Sequence, residues 1–469
     1  MNQDRPRIPL FAVPQNRGET TDRDSKLING YVEIVSKEEI WLYKRPAFKA
    51  ISNSGIGSSG LGVYNWKGDT YAIWGTQIFK NGVALTAPTL DVSNGVYNFT
   101  PTLGTPQYLF FHNGVKAYYY SGTGSVTQVT DVNFPTSLSK GAAYLDGTIY
   151  VMDPTGQIRG SNFNDPSTWG VLNSINAQIE PDNGVFLAKQ LVYIIAFQEW
   201  STEVFYDAGN ATGSPLSPVQ GAKVNVGCRH AGTVQDMDGT LIWVSRARSG
   251  GLSVHMMEGL KAQPISTPSI ERILGSSNYT TVLSWNGKIG GHRFYCLTLT
   301  DINTTLVYDL TTQLWSQWQD NTGYNLLISS STYSSSDKVV MQGYNDNNLY
   351  SWDISSYKDS TYSNAGVLSY KSIPVDLYTP DWDAGTKKRK VANCLYIAAD
   401  QQAGSWITIR TSDDDYQGWT TPRRVDLDKR LPMLDKMGTF RRRSHHIHHE
   451  CDTPLRLRYL EMQLEVGVL

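Results

Sequence analysis

Between residues 55 and 370 this chain repeats one local pattern: a short run of alternating apolar and polar residues, a tight turn, then another such run. The turns fall at Trp66-Lys67-Gly68-Asp69, His112-Asn113-Gly114, Leu145-Asp146-Gly147, Met237-Asp238-Gly239, Trp285-Asn286-Gly287 and Asn345-Asp346-Asn347-Asn348. Asn-Gly and Asp-Gly provide the positive φ that two-residue hairpin loops require, so these sites predict pairs of antiparallel strands. The flanks agree. Asp69-Thr70-Tyr71-Ala72-Ile73-Trp74 and Thr148-Ile149-Tyr150-Val151-Met152 put aromatic and branched side chains on one face, which needs a partner to bury it.

Successive turns are about 46, 33, 92, 48 and 60 residues apart, scattered around the roughly 40–50 residues of a four-stranded propeller blade. The longest gap has room for two blades, so six or seven fit. Neither the Gly-His and Trp-Asp signature of a WD array nor the double glycine of a kelch array recurs. A tandem sandwich uses the same hairpins, but a closed ring removes the open edges that an array leaves. The expectation is an all-β chain centred on a β-propeller.

Composition narrows the alternatives. At 469 residues the chain exceeds a single ordinary core. Charged residues are 18% against a usual value of about 25%, and 41 Gly, 27 Tyr and 13 Trp favour turns and half-buried strands. No segment carries a clear helical apolar period. A net charge of −2 argues against tight DNA binding, because neutralising about six to ten phosphates takes a concentrated basic face. Cys228, Cys296, Cys394 and Cys451 are widely spaced, which suits buried thiols in a reducing compartment. The first residues lack the apolar core of a secretion signal, and no run of about 18 apolar residues occurs. Synthesis and retention in the cytoplasm are expected, unless the chain is carried out within something larger.

Three regions are expected: an N-terminal arm at 1–54, rich in Pro and charge; the propeller at 55–370; and a C-terminal β-sandwich at 371–469, with strands at Val391–Ala398, Trp406–Thr411 and Leu455–Val466. Within the last region His445, His446, His448, His449 and Cys451 are of metal-ligating type. In an extended strand His446 and His448 share one face and His445, His449 and Cys451 the other, so neither face offers four ligands. A solvated, pH-sensitive strand or loop is the expectation. The basic runs Lys387–Lys390 and Arg441–Arg443 are nearly balanced by Asp413, Asp414, Asp415, Asp426, Asp428 and Asp435, which predicts local neutralisation or pairing across a subunit boundary. Thr411 to Thr420 is similar to the Asp-box turn of sialidase propellers, which is structural. Glycoside hydrolysis needs two carboxylates about 5–9.5 Å apart, and sequence spacing does not reveal such a pair. Phosphate-loop, zincin and nucleophile-elbow motifs are absent. No catalytic, cofactor-binding or metal residue is therefore assigned, and no cofactor is expected.

Several motifs follow one another in an informative order. Leu27-Ile28-Asn29-Gly30-Tyr31-Val32-Glu33 precedes Tyr43-Lys44-Arg45-Pro46; Asn164-Asp165-Pro166-Ser167-Thr168-Trp169 precedes Pro181-Asp182-Asn183-Gly184. Trp200-Ser201-Thr202-Glu203-Val204-Phe205-Tyr206, Thr267-Pro268-Ser269-Ile270-Glu271-Arg272-Ile273, Gly291-His292-Arg293-Phe294-Tyr295 and Val307-Tyr308-Asp309 come after them. In this order they resemble the tail nozzle, or packaged-DNA-stabilisation, proteins of short-tailed bacteriophages (tail accessory factors of podovirus type). Arg441–Arg443 and Leu455-Arg456-Leu457-Arg458 match more loosely, and the histidine cluster departs from the pattern. Read physically, Trp169, Trp200 and Trp315 are expected in blade cores, Asp165-Pro166 in a turn and Glu203 paired within a strand.

The resemblance implies a structural virion protein of the tail, assembled in the host bacterial cytoplasm. It implies a homohexamer bound beneath the portal-adaptor ring, with docked tail fibre, tailspike or needle proteins. Genomic DNA would pass its lumen without sequence-specific binding, and no membrane segment is expected. The alternatives are a glycan-acting propeller enzyme, such as a virion depolymerase or glycosidase, and a host cytosolic adaptor.

Overall fold

The computed structural model describes residues 5–11, 24–36, 39–177, 180, 182–210, 212–248 and 250–467. Residues 1–4, 12–23 and 37–38 of the expected arm, and Pro181 of the quoted motif, lie outside the described residues.

Seven antiparallel sheets follow one another around a ring. The first runs from Gly60–Trp66 to Val83–Ala84, the second from Asn98–Pro101 to Thr127–Gln128, the third from Ala143–Leu145 to Asp165–Asn176, and the fourth from Gly184–Gln190 to Leu216–Pro218. The fifth spans Gly227–Cys228 to Lys261–Pro264, and the sixth Val282–Ile289 to Leu314–Gln317. The seventh takes Ile328–Tyr333, Val339–Gly343 and Asn348–Asp353 and is completed by Ala47–Asn53, which precedes the first blade in the chain. Neighbouring blades touch all the way round, and Ile328–Tyr333 of the seventh meets Gly60–Trp66 of the first. The protein is a closed seven-bladed β-propeller.

Side chains zip the closing seam. Gln342 accepts from the Gly62 N–H at 2.7 Å and donates to the Ile73 carbonyl at 2.8 Å, while the Ser330 and Thr332 hydroxyls accept from Val63 and Asn65 N–H. The buried Gln342 amide thus does across the seam what a strand ladder does within a blade.

Most of the turns that Asn-Gly and Asp-Gly mark are present. Lys67-Gly68, Asp146-Gly147 and Asp238-Gly239 have positive φ at both positions, as type I′ turns need. Trp285-Asn286-Gly287 is a correction, because it lies inside the strand Val282–Ile289 and the chain turns instead at Gly290-Gly291. Gly287 serves packing rather than turning: a Cβ there would sit 2.5 Å from the Trp352 ring. The long interval after Gly147 hides the hairpin of the fourth blade, which turns at Leu191-Val192 with Leu191 at φ 54. No glycine or asparagine announces it. The motif at Thr267 to Ile273 folds as a helix, Pro268–Ser276, where no helical period was expected. Proline at its start and the burial of Ile270, Ile273 and Leu274 explain it.

Where described, the N-terminal arm is built into the fold. Lys26–Ile28 joins the outer strand of the sixth blade, Leu314–Gln317, on one side and Val375–Tyr378 on the other. Through it the sixth blade continues into a nine-stranded sheet that ends with Ser444–His449, Trp406–Ser412 and Arg423–Asp426. Gly30–Ser36 and Glu39–Lys44 enter a second sheet with Arg456–Val466, Lys390–Ala399 and Met433–Phe440. The two sheets share one apolar core, including Leu27, Leu42, Leu377, Leu395, Ile409 and Leu460, and so form the sandwich.

The sixth and seventh blades meet over an aromatic cluster. Phe294, Trp318 and Trp352 lie 5.2–5.8 Å apart, Trp285 is 5.8 Å from Trp352, and Phe48 of the closing strand stands edge-on to Trp285 at 5.7 Å. Gly287→Ala is expected to destabilise the chain by about 1–3 kcal/mol through this cluster, and by less in a Trp352→Leu background. Equal costs in both backgrounds, read from urea unfolding, would show that the ring is not the obstacle.

Candidate functional site

Motifs far apart in the chain converge where the N-terminal strands, the sixth blade and the hairpin after the seventh blade, Lys358–Tyr362 with Leu368–Ser372, meet. Tyr43-Lys44-Arg45-Pro46 delivers the Arg45 guanidinium into a fully buried position, where all five of its N–H donors are used. Nε donates to Asn29 Oδ1 at 3.0 Å; Nη1 to Pro46 O at 3.0 Å and Asp359 Oδ1 at 2.9 Å; Nη2 to Gln319 O at 3.1 Å and Asp359 Oδ2 at 2.6 Å. Asp359 also accepts the Phe48 N–H of the closing strand at 2.8 Å. Asn29 Oδ1 also accepts the Gln319 N–H at 2.8 Å. The neighbouring Lys44, also buried, donates to Cys451 O at 2.7 Å, and burial pushes its ammonium down to about 8. Beside this junction His292 Nδ1 and Asp309 Oδ2 lie 2.7 Å apart, with Tyr31 edge-on to the imidazole at 4.9 Å.

The other motifs are also structural. Asp165 caps its turn by accepting from Ser167 and Thr168, and Trp169 is buried against Phe134 at 4.8 Å. Trp315 is half-buried and donates to Ile265 O. Trp200 corrects the blade-core expectation. It lies in the connection before Thr202–Asp207, half-buried beneath Arg246 at 3.8 Å, because that guanidinium is held by Glu199.

The histidine strand Ser444–His449 is paired on both edges, with Val375–Tyr378 and Trp406–Ser412, and is not the solvated segment expected from composition. The predicted facial split is present. His446 Nε2 and His448 Nδ1 lie 2.7 and 2.8 Å from the same Asp376 oxygen, and His446 stacks on Tyr378 at 4.2 Å. On the opposite face His445 is fully buried, and neither ring nitrogen has a hydrogen-bond partner among the described residues. His449 bonds Ser405 Oγ at 3.0 Å. Among the described residues no group of three or more His, Cys, Asp or Glu is arranged to hold a metal ion.

Basic residues nearby are locally engaged. Arg443 is buried and bidentate to Asp413 at 2.6 and 2.7 Å, Arg442 pairs with Asp381, and Arg424 with Asp426. In the turn similar to an Asp-box, Asp414 accepts from Ser412 and the Gly418 N–H, the capping role of such turns.

A cavity of about 660 Å³ lies on the ring axis, where the inner strands begin. Asn94, Lys140, Arg229, His230, Thr280 and Ser330 come to it from several blades, and among the described residues no carboxylate lines it. Lys140 Nζ donates to the Asn94 and Val96 carbonyls at 2.6 Å each. Sequence reading missed this site, because its residues lie on separate blades and carry no common motif.

A closed propeller whose distinctive residues knit the ring to a fused sandwich is a protein of structural build. The chain belongs to the phage-stabilisation family described as bacteriophage P22 Gp10, β-propeller, which matches residues 32–350. It is a structural β-propeller protein of bacteriophage type. No curated protein matches it. Among solved structures it is similar to a streptogramin B lyase (11% identity over 69% of this chain and 98% of that chain, TM-score 0.43). It is also similar to the WD40 propeller domain of Doa1 (9%, 66% and 97%, TM-score 0.40). A third is the extracellular domain of a hybrid two-component system protein of B. thetaiotaomicron (11%, 71% and 45%, TM-score 0.45), of which this chain spans less than half. At these scores the likenesses carry no functional argument.

Two outcomes are expected. Arg45→Met and Asp359→Leu should each cost about 3–5 kcal/mol in urea unfolding, because each leaves a charge buried without its partner, while the double variant recovers much of the loss. Single costs below about 1 kcal/mol would remove the junction from its central role.

The second concerns pH. Burial pushes the His445 and His449 imidazoles down to about 3, whereas an unfolded histidine titrates near about 6.5. Their contribution is full above about 6.5 and lost as pH falls toward 3. Burial raises the Asp376 carboxyl, but hydrogen bonds from His446 and His448 outweigh it and hold the group well below the usual range, so its contribution too is lost in acid. His448, raised chiefly by its bond to Asp376, acts oppositely and loses its contribution as pH rises through its elevated value. His445→Leu should flatten the acid loss of stability between pH 6.5 and 4 by roughly 1 kcal/mol per pH unit. Parallel stability curves for the two proteins would contradict the assignment.

Proposed function

We propose that this chain forms the nozzle of a short phage tail: a homohexamer bound below the portal-adaptor ring, extending and helping to close the DNA channel and retaining packaged DNA. Tail fibres, spikes or a needle dock on its outer surface, and it acts without catalysis. The observation that carries this reading is the family match over residues 32–350, which spans nearly the whole propeller. Physical features support it. A net charge of −2, with the C-terminal arginines largely paired internally, suits a wall past which DNA slides, since dense phosphate neutralisation would hold it. A six-fold ring needs a heterologous contact, one patch on each copy meeting a different patch on the next.

The test is immunogold electron microscopy of purified particles of the source phage, with antibody to this chain. Label confined to the tail is expected; unlabelled particles, with the antigen shown to be accessible, would sink the reading. Native mass spectrometry of the purified protein in the presence of its adaptor ring should give six copies per ring. New reducing ends released from host polysaccharide would instead favour the glycan-acting enzyme.

A further inference from the structure

The axial cavity has an electrostatic character that the family reading does not explain. Two cations from different blades, Lys140 and Arg229, line it together with His230, and among the described residues no Asp or Glu does. Neither cation has an ion-pair partner among the described residues. The two carbonyls that hold the Lys140 ammonium are neutral and leave one of its three N–H bonds unused. The Arg229 guanidinium lies 4.7 Å over the Tyr279 ring and makes no hydrogen bond among the described residues.

The platform beneath Arg229 is maintained at a cost. Tyr279 is buried and has φ 63, a left-handed conformation that a bulky aromatic residue rarely adopts. It is held by its N–H to Ser277 Oγ at 3.1 Å and by its hydroxyl to Leu274 O at 3.2 Å. Local strain of this kind accumulates at binding sites, where the surrounding structure enforces it. The nearby carboxylate, Asp301, is engaged by Ser277 Oγ and the Asn278 N–H. His230 Nδ1 accepts the Gly232 N–H at 3.0 Å, which in the neutral ring places the proton on Nε2. Burial, then Arg229, then Lys140 push this imidazole down to about 4, so near neutral pH it is an uncharged donor.

We propose that the axial cavity binds a phosphate-class oxyanion, with Arg229 and Lys140 supplying the charge and His230 Nε2 a neutral hydrogen bond. Guanidinium on an aromatic platform is preorganised for such a ligand, and charge-assisted bonds in a partly enclosed site are stronger than in water. The cavity has room for on the order of twenty waters, enough for one phosphate group with a small body and too little for a base-paired duplex. The ligand is therefore a free phosphate compound or the terminal phosphate of a strand.

Isothermal titration of the full chain with inorganic phosphate, at constant ionic strength and with chloride as control, tests this. Parallel titrations use a short oligonucleotide with and without a 5′-phosphate. Phosphate binding that Arg229→Gln weakens at least tenfold supports the site and a free anion. Binding of only the phosphorylated oligonucleotide, lost in the same variant, supports the site and a strand terminus. Absence of binding by the native chain, chloride competing as well as phosphate, or binding indifferent to Arg229→Gln would overturn it. Arg229 is half-buried and unpaired, so this variant should keep the native circular dichroism; Lys140→Met, if folded, should weaken binding similarly.

Discussion

Much of this architecture depends on one buried guanidinium. Desolvating Arg45 is expensive, and the cost is offset only because five acceptors from four places in the chain surround it in a fixed geometry. Those acceptors belong to the turn after the strand Lys26–Ile28, the end of the sixth blade, the residue beside Arg45 and the hairpin after the seventh blade. The carboxylate that pairs with Arg45 also takes a backbone N–H of the closing strand. One ion pair thereby sets the register of ring closure and the attachment of the sandwich together.

The aromatic cluster complements that junction. Hydrogen bonding fixes direction but yields modest net stability, whereas burial of Trp285, Phe294, Trp318, Trp352 and Phe48 supplies the larger favourable term without fixing direction. Because these rings come from the sixth blade, the seventh blade and the closing strand, their packing rewards the same arrangement that Arg45 specifies. Local and long-range preferences agree, as a unique fold requires.

The ring and its hairpins were legible in the sequence because type I′ turns have a strict residue requirement, met at Gly68, Gly147 and Gly239. Where glycine served another purpose the reading failed: Gly287 makes room for Trp352, and the Leu191-Val192 turn tolerates a left-handed leucine without advertising it. Propensity missed the nine-residue helix at Pro268, whose apolar stripe is only three residues. The histidine strand showed its facial alternation but not its burial, since burial was decided by two neighbouring strands from elsewhere in the chain. The axial cavity was invisible for a similar reason. Arg229 and Lys140 lie on separate blades, and only closure brings both to one axis.

The position of Ala47–Asn53 has a consequence for the order of events on the ribosome. This strand emerges before any blade is made, yet its partner Asn348–Asp353 is synthesised about 300 residues later. At about 5–20 residues per second, the interval lasts on the order of 15–60 s, during which an aromatic-bearing strand has no ladder to join. Contacts this distant in sequence slow folding, and an unpaired edge invites pairing with another nascent chain. The ring that ends as a rigid body therefore begins as a chain whose first strand must be kept from its neighbours, so its yield in the cell depends on protection of the nascent chain as well as on the stability of the finished ring.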